Sequence, residues 1–327
     1  MCGVQMQKDF HYYTVMVLAH TAGFLPAQAR TIAYSSQFVD DSTDSGQIEV
    51  GQYRYDTVRT AHLGLHVFSW NVHKKIYFPF HFVPSLRWDG EYSPYATRAD
   101  CPLARLLVER ALAERGELRP YQLGVALHAY ADSWAHEGFS GRRHKENDVK
   151  VLRRFVNGKW RRCRKTWDVV LDLFRARVGH LQAYAYPDLP YERWRYVDYR
   201  GRTHERDNVE RFSQAAHAVL EWLCAARGAR KAKARWQAVE KKVKDLFAVL
   251  PQTGGNSLEA RCALWREAFP EAFAAESGSA EYEHDEWRTS ALAVARTGDL
   301  EAFLRTDWVR FQRAALRQRF WVLERMM

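Results

Sequence analysis

The stretch Leu123–Gly141 reads LGVALHAYADSWAHEGFSG, and in it His128, Asp132 and His136 stand four residues apart. Four residues of α-helix overshoot one full turn by only about 40°, so the three side chains share one face, one above the next. Val125, Ala126, Leu127, Ala129, Ala131 and Ala135 surround them, and the helix is therefore expected to be buried. A buried polar face is costly unless it is paired or metallated. Two imidazoles and a carboxylate in line match the donors that zinc or iron takes. The alternative is an ordinary buried polar network. Further histidines upstream, from His11 to His81, favour the metal.

The segment GVALHAYADSWAH resembles the central helix of the zinc-dependent phospholipase C family and its relatives, the fungal single-strand nucleases. Asp9–Tyr13 (DFHYY) and the same helix also resemble a bacterial family without an assigned activity. The first resemblance implies an all-α, multi-helix bundle with two or three zinc ions. It implies further ligands in an early His, an Asp ending an early helix, a His after that Asp, and a later His with a nearby acid. On this sequence those roles fall to His11, to Asp40 with Asp41 as second choice, and to His62, with His66 as a supporting or core residue. For the later pair, His180 with Asp188 is preferred to His144 with Asp148, because His180 sits among apolar and aromatic residues ahead of a Pro-flanked loop. The secreted zinc enzymes bind one ion through a mature N-terminal amine. Here Met1–Lys8 precede the first ligand, which leaves a third ion without that donor unless Asp9 replaces it. The step from Asp132 to His136 is also shorter than in that family. The likeness covers Asp9 to Asp188.

The rest of the chain reads as helices. Phe10–Gly23 predicts one helix, and Pro26 opens a second that ends in Asp40-Asp41. Acids at a helix C-terminus oppose the macrodipole, and a bound cation would reconcile them. Gln47–Val58 alternates polar and apolar residues, as a short hairpin or lid would. Lys74–Pro84 is aromatic and broken by Pro, and His81 within it reads as a cluster residue rather than a ligand. Asp100 is placed to cap a helix over Leu103–Arg115, and Pro120 to open the central one. Arg153–Lys165 interleaves seven basic residues with Phe155 and Trp160, either as a nucleic-acid-binding surface or as a solvated helix face. From Asp207 onward five helical segments alternate charge. Ten of the thirteen histidines occur by His180, which assigns the metal chemistry to residues 1–190 and a helical scaffold or cap, packed as one unit with it, to 191–327.

A net charge of +10 favours an anionic, phosphate-containing partner, with nucleic acid among the candidates. Five scattered cysteines form no C-x-x-C pair, so neither a disulfide framework nor a cysteine zinc site is expected, and a cytoplasmic setting is the simpler fit. No run of eighteen apolar residues predicts a membrane span, and Lys8, Asp9, His11 and His20 do not fit a signal peptide. No Walker loop, dinucleotide fingerprint or nucleophile elbow occurs.

Seven donors (His11, Asp40, His62, His128, Asp132, His136 and His180) suit two zinc ions, or three if carboxylates bridge. The expected reaction is hydrolysis of a phosphoester, a diester first, by a metal-activated water that Asp40 or Asp132 orients or deprotonates. Two iron ions on the same ligands, with oxidative chemistry, are the alternative enzyme. A metal-stabilised helical module that binds nucleic acid through Arg153–Lys165 is the non-enzymatic one.

Overall fold

The computed structural model describes residues 8–61, 69–88, 90–163, 177–250, 257–274 and 281–326. Within them the chain forms eleven α-helices and six strands. A π-helical segment, Asp9–Thr14, runs into α1 (Val15–Ala22), which Gly23 closes in the left-handed conformation at φ 91°. Pro26 opens α2 (Pro26–Asp41) in its first turn, where a missing N–H costs nothing. The hairpin of β1 (Gln47–Val50) and β2 (Tyr53–Asp56) follows. One turn, α3 (Trp70–Val72), leads into a second π-helical segment, His73–His81, which contains Pro79. Next come α4 (Pro102–Ala113) and the central helix α5 (Arg119–Ala135), each with Pro in its first turn.

The second half holds β3 (Val151–Val156), β4 (Lys159–Arg162), β5 (Arg193–Val197) and β6 (Thr203–Asp207), an antiparallel sheet in the order β4-β3-β5-β6. Helices α6 (Asn208–Arg227), α7 (Ala232–Phe247), α8 (Ser257–Ala268), α9 (Glu286–Ala295), α10 (Leu300–Leu304) and α11 (Asp307–Met326) complete it.

Helix α5 is the axis of the molecule. It packs against α2, α4, α6 and α11, and every described side chain from Tyr121 to Ala135 is buried. Gly124 makes the closest of these approaches possible. A Cβ there would overlap the carbonyl oxygen of Ile32 and the Cβ of Ser35 on α2. One cluster of buried apolar side chains runs from Phe10 to Val322, so N- and C-terminal elements share a core.

The fold is mostly α rather than all-α, and the four-stranded sheet is the correction. Arg153–Lys165 is not a helix face: as far as Arg162 it is the β3–β4 hairpin, while Arg164 and Lys165 lie outside the described residues. Asp100 does not cap α4, whose N-cap is Cys101. Asp100 accepts instead from Arg105 Nε at 2.7 Å and from the hydroxyl of Tyr130 at 2.6 Å.

Candidate metal centre

Helix α2 ends in an unusual way. Its last turn carries Asp40 and Asp41, and the helix closes without glycine. The chain at Thr60 supplies the closure. Thr60 N–H donates to the carbonyl of Ser42 (2.9 Å), and its hydroxyl donates to that of Val39 (2.6 Å). This pins residues 58–61 over the helix end and aims the Thr60 carbonyl at His81. At the end of α5, the backbone N–H of His136 still donates to the carbonyl of Asp132 (2.9 Å). His136 is the C-cap rather than an interior residue, yet it stays one turn above Asp132.

Eight side chains converge here in three groups: His11, His128 and Asp132; Asp40, His81 and His128; and His136, His180 and Asp188. All are buried, and His180, at 9 % exposed, is the most accessible. Asp132 ties the groups together. Its Oδ1 lies 3.2 Å from His11 Nε2, and its Oδ2 lies 3.4 Å from His81 Nδ1, 3.3 Å from His128 Nε2 and 3.7 Å from His136 Nδ1.

Four of the imidazoles are held the same way. His128 Nδ1–H donates to the carbonyl of Ser36 (2.8 Å), and His81 Nε2–H to that of Thr60 (2.9 Å). His136 Nδ1–H donates to the carbonyl of His81 (2.7 Å), and His180 Nδ1–H to that of Tyr184 (2.9 Å). A carbonyl can only accept, so each of these nitrogens carries the proton. In a neutral ring the other nitrogen then presents a lone pair, and the carbonyl behind the ring fixes its tautomer and direction, as metal-binding histidines require.

Those lone pairs face each other and the carboxylates. His128 Nε2 and His81 Nδ1 lie 3.3 Å apart, a repulsive pair unless a proton or cation sits between them. His136 Nε2 and His180 Nε2 flank Asp188, at 3.0 and 3.3 Å from its two oxygens. Asp40 lies 3.5 Å from His128 Nε2 and 3.7 Å from His81 Nδ1, and neither of its oxygens has a hydrogen-bond partner. A buried carboxylate left like this costs several kcal/mol, on the order of 1–3 or more.

The electrostatics express the same deficit. Burial, then the charge of Asp132, raises the Asp40 carboxyl well above its ordinary value. Burial also works against Asp132, but His136 and His128 outweigh it and hold that carboxyl well below its usual range. Burial, then His11, pushes His128 down to about 3, so this ring is neutral at pH 7. Burial opposes charge on His136 too, but Asp132 and Asp188 overcome it and lift the group to about 9. Burial lowers His180. The carboxylates thus face a neutral His128, a His180 whose charge burial disfavours and a protonated His136, and one or more divalent cations would satisfy the unpartnered Asp40 and the facing lone pairs of His128 and His81.

A sequence profile of one protein family matches residues 6–326, nearly the whole chain. The chain belongs to DUF6765, a family of unknown function. No curated protein and no solved structure matches it.

In this DUF6765 chain the structure brings together six of the seven donors read from the sequence: His11, Asp40, His128, Asp132, His136 and His180. The seventh, His62, lies outside the described residues, as does His66. Asp188 joins His180, whereas His144 stands apart, its ring accepting from Glu146 N–H at the start of a short 3-10 turn. Asp41 accepts from the Tyr282 hydroxyl (2.6 Å), and Asp9 from Arg261 (2.6 Å), so neither belongs to the three groups. The residue that sequence reasoning misplaced is His81. It is not a bystander in an aromatic cluster but stands at the middle of the eight side chains.

Proposed function

We propose that this protein is a metal-dependent phosphoesterase, acting on phosphodiesters through a site of two zinc ions, with a third held by His136, His180 and Asp188. The observation that carries the reading is the set of four imidazoles fixed by backbone carbonyls, with their free nitrogens turned toward buried carboxylates. The donor set fits zinc: nitrogen and oxygen atoms only, on a rigid support, with outer partners already in place. His11, His128 and Asp132 would hold one ion, and Asp40 and His81, beside Asp132, the second.

Bound zinc supplies water acidified towards neutral pH and positive charge for phosphate oxygens. Asp40 would be the residue to position a water and hold its proton, because its oxygens are free of hydrogen bonds. Asp132 has the opposite role, as the carboxylate that stays ionised. The net charge of +10 draws anions toward the protein. The free cysteines, Cys101, Cys163, Cys224 and Cys262, suit a reducing compartment, in our reading the cytoplasm. No helix among the described residues is long and apolar enough to cross a membrane.

The zinc-loaded protein should hydrolyse bis(p-nitrophenyl) phosphate. His128→Ala should abolish turnover while leaving the far-ultraviolet circular dichroism largely intact. Full activity in that variant would sink the proposal.

The burial of all eight donors favours a second reading, in which the metal holds the fold together and touches no substrate. Chelation would then unfold the protein, and no phosphoester would turn over. The same nitrogen and oxygen donors also suit two iron ions, for which metal identity is the discriminating measurement.

A further inference from the structure

The four-stranded sheet has two unlike faces. Leu152, Trp194 and Tyr196 point inward, into a small apolar cluster with Phe82 and Phe139 that backs onto His136 and His180. Side chains alternate along a strand, and cross-strand partners share a face. The register therefore puts Arg153, Phe155, Trp160, Arg162, Arg193 and Arg195 together on the outward face. Arg162 stands opposite Arg153 on β4 and β3, and Arg153 opposite Arg195 on β3 and β5, so three guanidinium groups form one row across three strands.

Like charges directly opposite one another destabilise a sheet. Arg193 has a carboxylate partner, Glu205 at 2.6 Å. On β6 the same register sets Glu205 opposite Arg195 and Asp207 opposite Arg193, at the edge of the face, but among the described residues no carboxylate makes a salt bridge with Arg153, Arg162 or Arg195. Beside the row, Phe155 and Trp160 meet edge to face with ring centres 5.2 Å apart. Arg195 lies 4.4 Å from the Trp160 ring centre, and Arg193 lies 4.9 Å from that of Phe155. The face thus joins opposed cations to aromatic and guanidinium planes, and the sheet separates it from the metal centre.

We propose that this outward face binds single-stranded nucleic acid. The arginine row matches a string of phosphates, and the Phe155–Trp160 pair with its stacked guanidiniums offers planes for unpaired bases. A duplex hides its base faces, so the aromatic pair would be idle against it. This inference does not depend on the metal centre's being catalytic.

The test is fluorescence anisotropy of a labelled oligothymidylate titrated with the full chain in EDTA, so that no metal-dependent cleavage interferes. Binding should weaken linearly in log–log form with salt. The triple variant R153Q/R162Q/R195Q should reduce that slope by about 2, at about 0.7 per single-strand phosphate contact. Its melting temperature should be unchanged or higher, since opposed charges are relieved, which separates lost binding from unfolding. Trp160→Leu should cost at least about fivefold in affinity with little change of slope. The proposal is overturned if the triple variant binds like the parent. It is also overturned if duplex DNA, heparin or phosphatidylserine vesicles bind as tightly as the oligonucleotide and Trp160→Leu is without effect.

Discussion

Gly124 lies on α5 four residues before His128, where the helix presses against α2. In Gly124→Ala the new methyl would overlap the Ile32 carbonyl oxygen and the Ser35 Cβ, and would stand 3.0 Å from the Ser36 nitrogen. Carbon contacts settle at about 3.5–4.0 Å, so the helices must part by roughly 1 Å. The Ser36 carbonyl that now fixes His128 at 2.8 Å would move with α2. Such a shift puts it near 3.8 Å, beyond the roughly 2.7–3.2 Å of a real hydrogen bond. Overpacking costs about 1–3 kcal/mol, and an unmade buried hydrogen bond about 1–3 more. Alanine's better helix propensity returns about 1 kcal/mol. The net loss is of order 3 kcal/mol, or a melting temperature lower by about 4 °C at about 2.1 cal/mol/K of unfolding entropy per residue. Because His128 loses its outer partner and Asp40 shifts with α2, metal affinity should also fall by about 10–100-fold. Thermal melts with and without zinc, together with a zinc titration, measure both effects. If Gly124→Ala were as stable as the parent or more so, as helix propensity alone requires, and bound zinc equally well, the link between this close approach and the site would be refuted.

Other consequences concern the site and its surroundings. Asp40→Asn replaces a buried carboxyl whose charge burial opposes and which lacks hydrogen bonds, so in EDTA the variant should melt no lower than the parent, while its zinc content falls; an unchanged zinc content would argue against Asp40 as a ligand. His81→Ala should lower metal content and His144→Ala should not, as elemental analysis of the two purified variants will show. Chelation should destabilise the parent by about 2.7 kcal/mol if free zinc was at a hundredfold its dissociation constant, and an unchanged melting temperature would contradict a bound ion. Glu137 is buried against its charge, but Arg211, Arg206 and Arg98 outweigh this and hold its carboxyl below the ordinary range. A depressed carboxylate contributes stability that is complete above its unfolded value, about 4.3, and is lost as pH falls through the folded one. Glu137→Gln should therefore narrow its stability gap from the parent in acid melts below about pH 4; a gap of constant size would remove that role.

Much of this architecture was legible in the sequence where local rules decide. Pro26 and Pro120 each sit in the first turn of a helix, and Gly23 ends one, as their backbone preferences require. The four-residue step from His128 to Asp132 to His136 survives into space because α5 is regular as far as Ala135. His81 was hidden for a physical reason. It ends a π-helical segment containing Pro79, where a wider turn breaks the 3.6-residue period by which faces are read. His11 sits in the other such segment, and only the family resemblance drew attention to it. The available signal for His81 was the segment's irregularity, since π-helical turns concentrate at functional sites. The four-stranded sheet was missed because its strands are short and arginine-rich. Trp194 and Tyr196 do alternate with Arg193, Arg195 and Val197, but the pairing of β3 with β5 joins residues about forty apart, which no local pattern reveals.

The central claim is that the eight buried side chains hold metal. Elemental mass spectrometry of the purified protein, before and after incubation with zinc and removal of the excess, tests it most directly. Two or more zinc ions per chain are expected, and fewer in the His128→Ala and His81→Ala proteins. A parent protein that carries no metal and takes up none would contradict it, and would leave His128, Asp132 and His136 as a buried polar network.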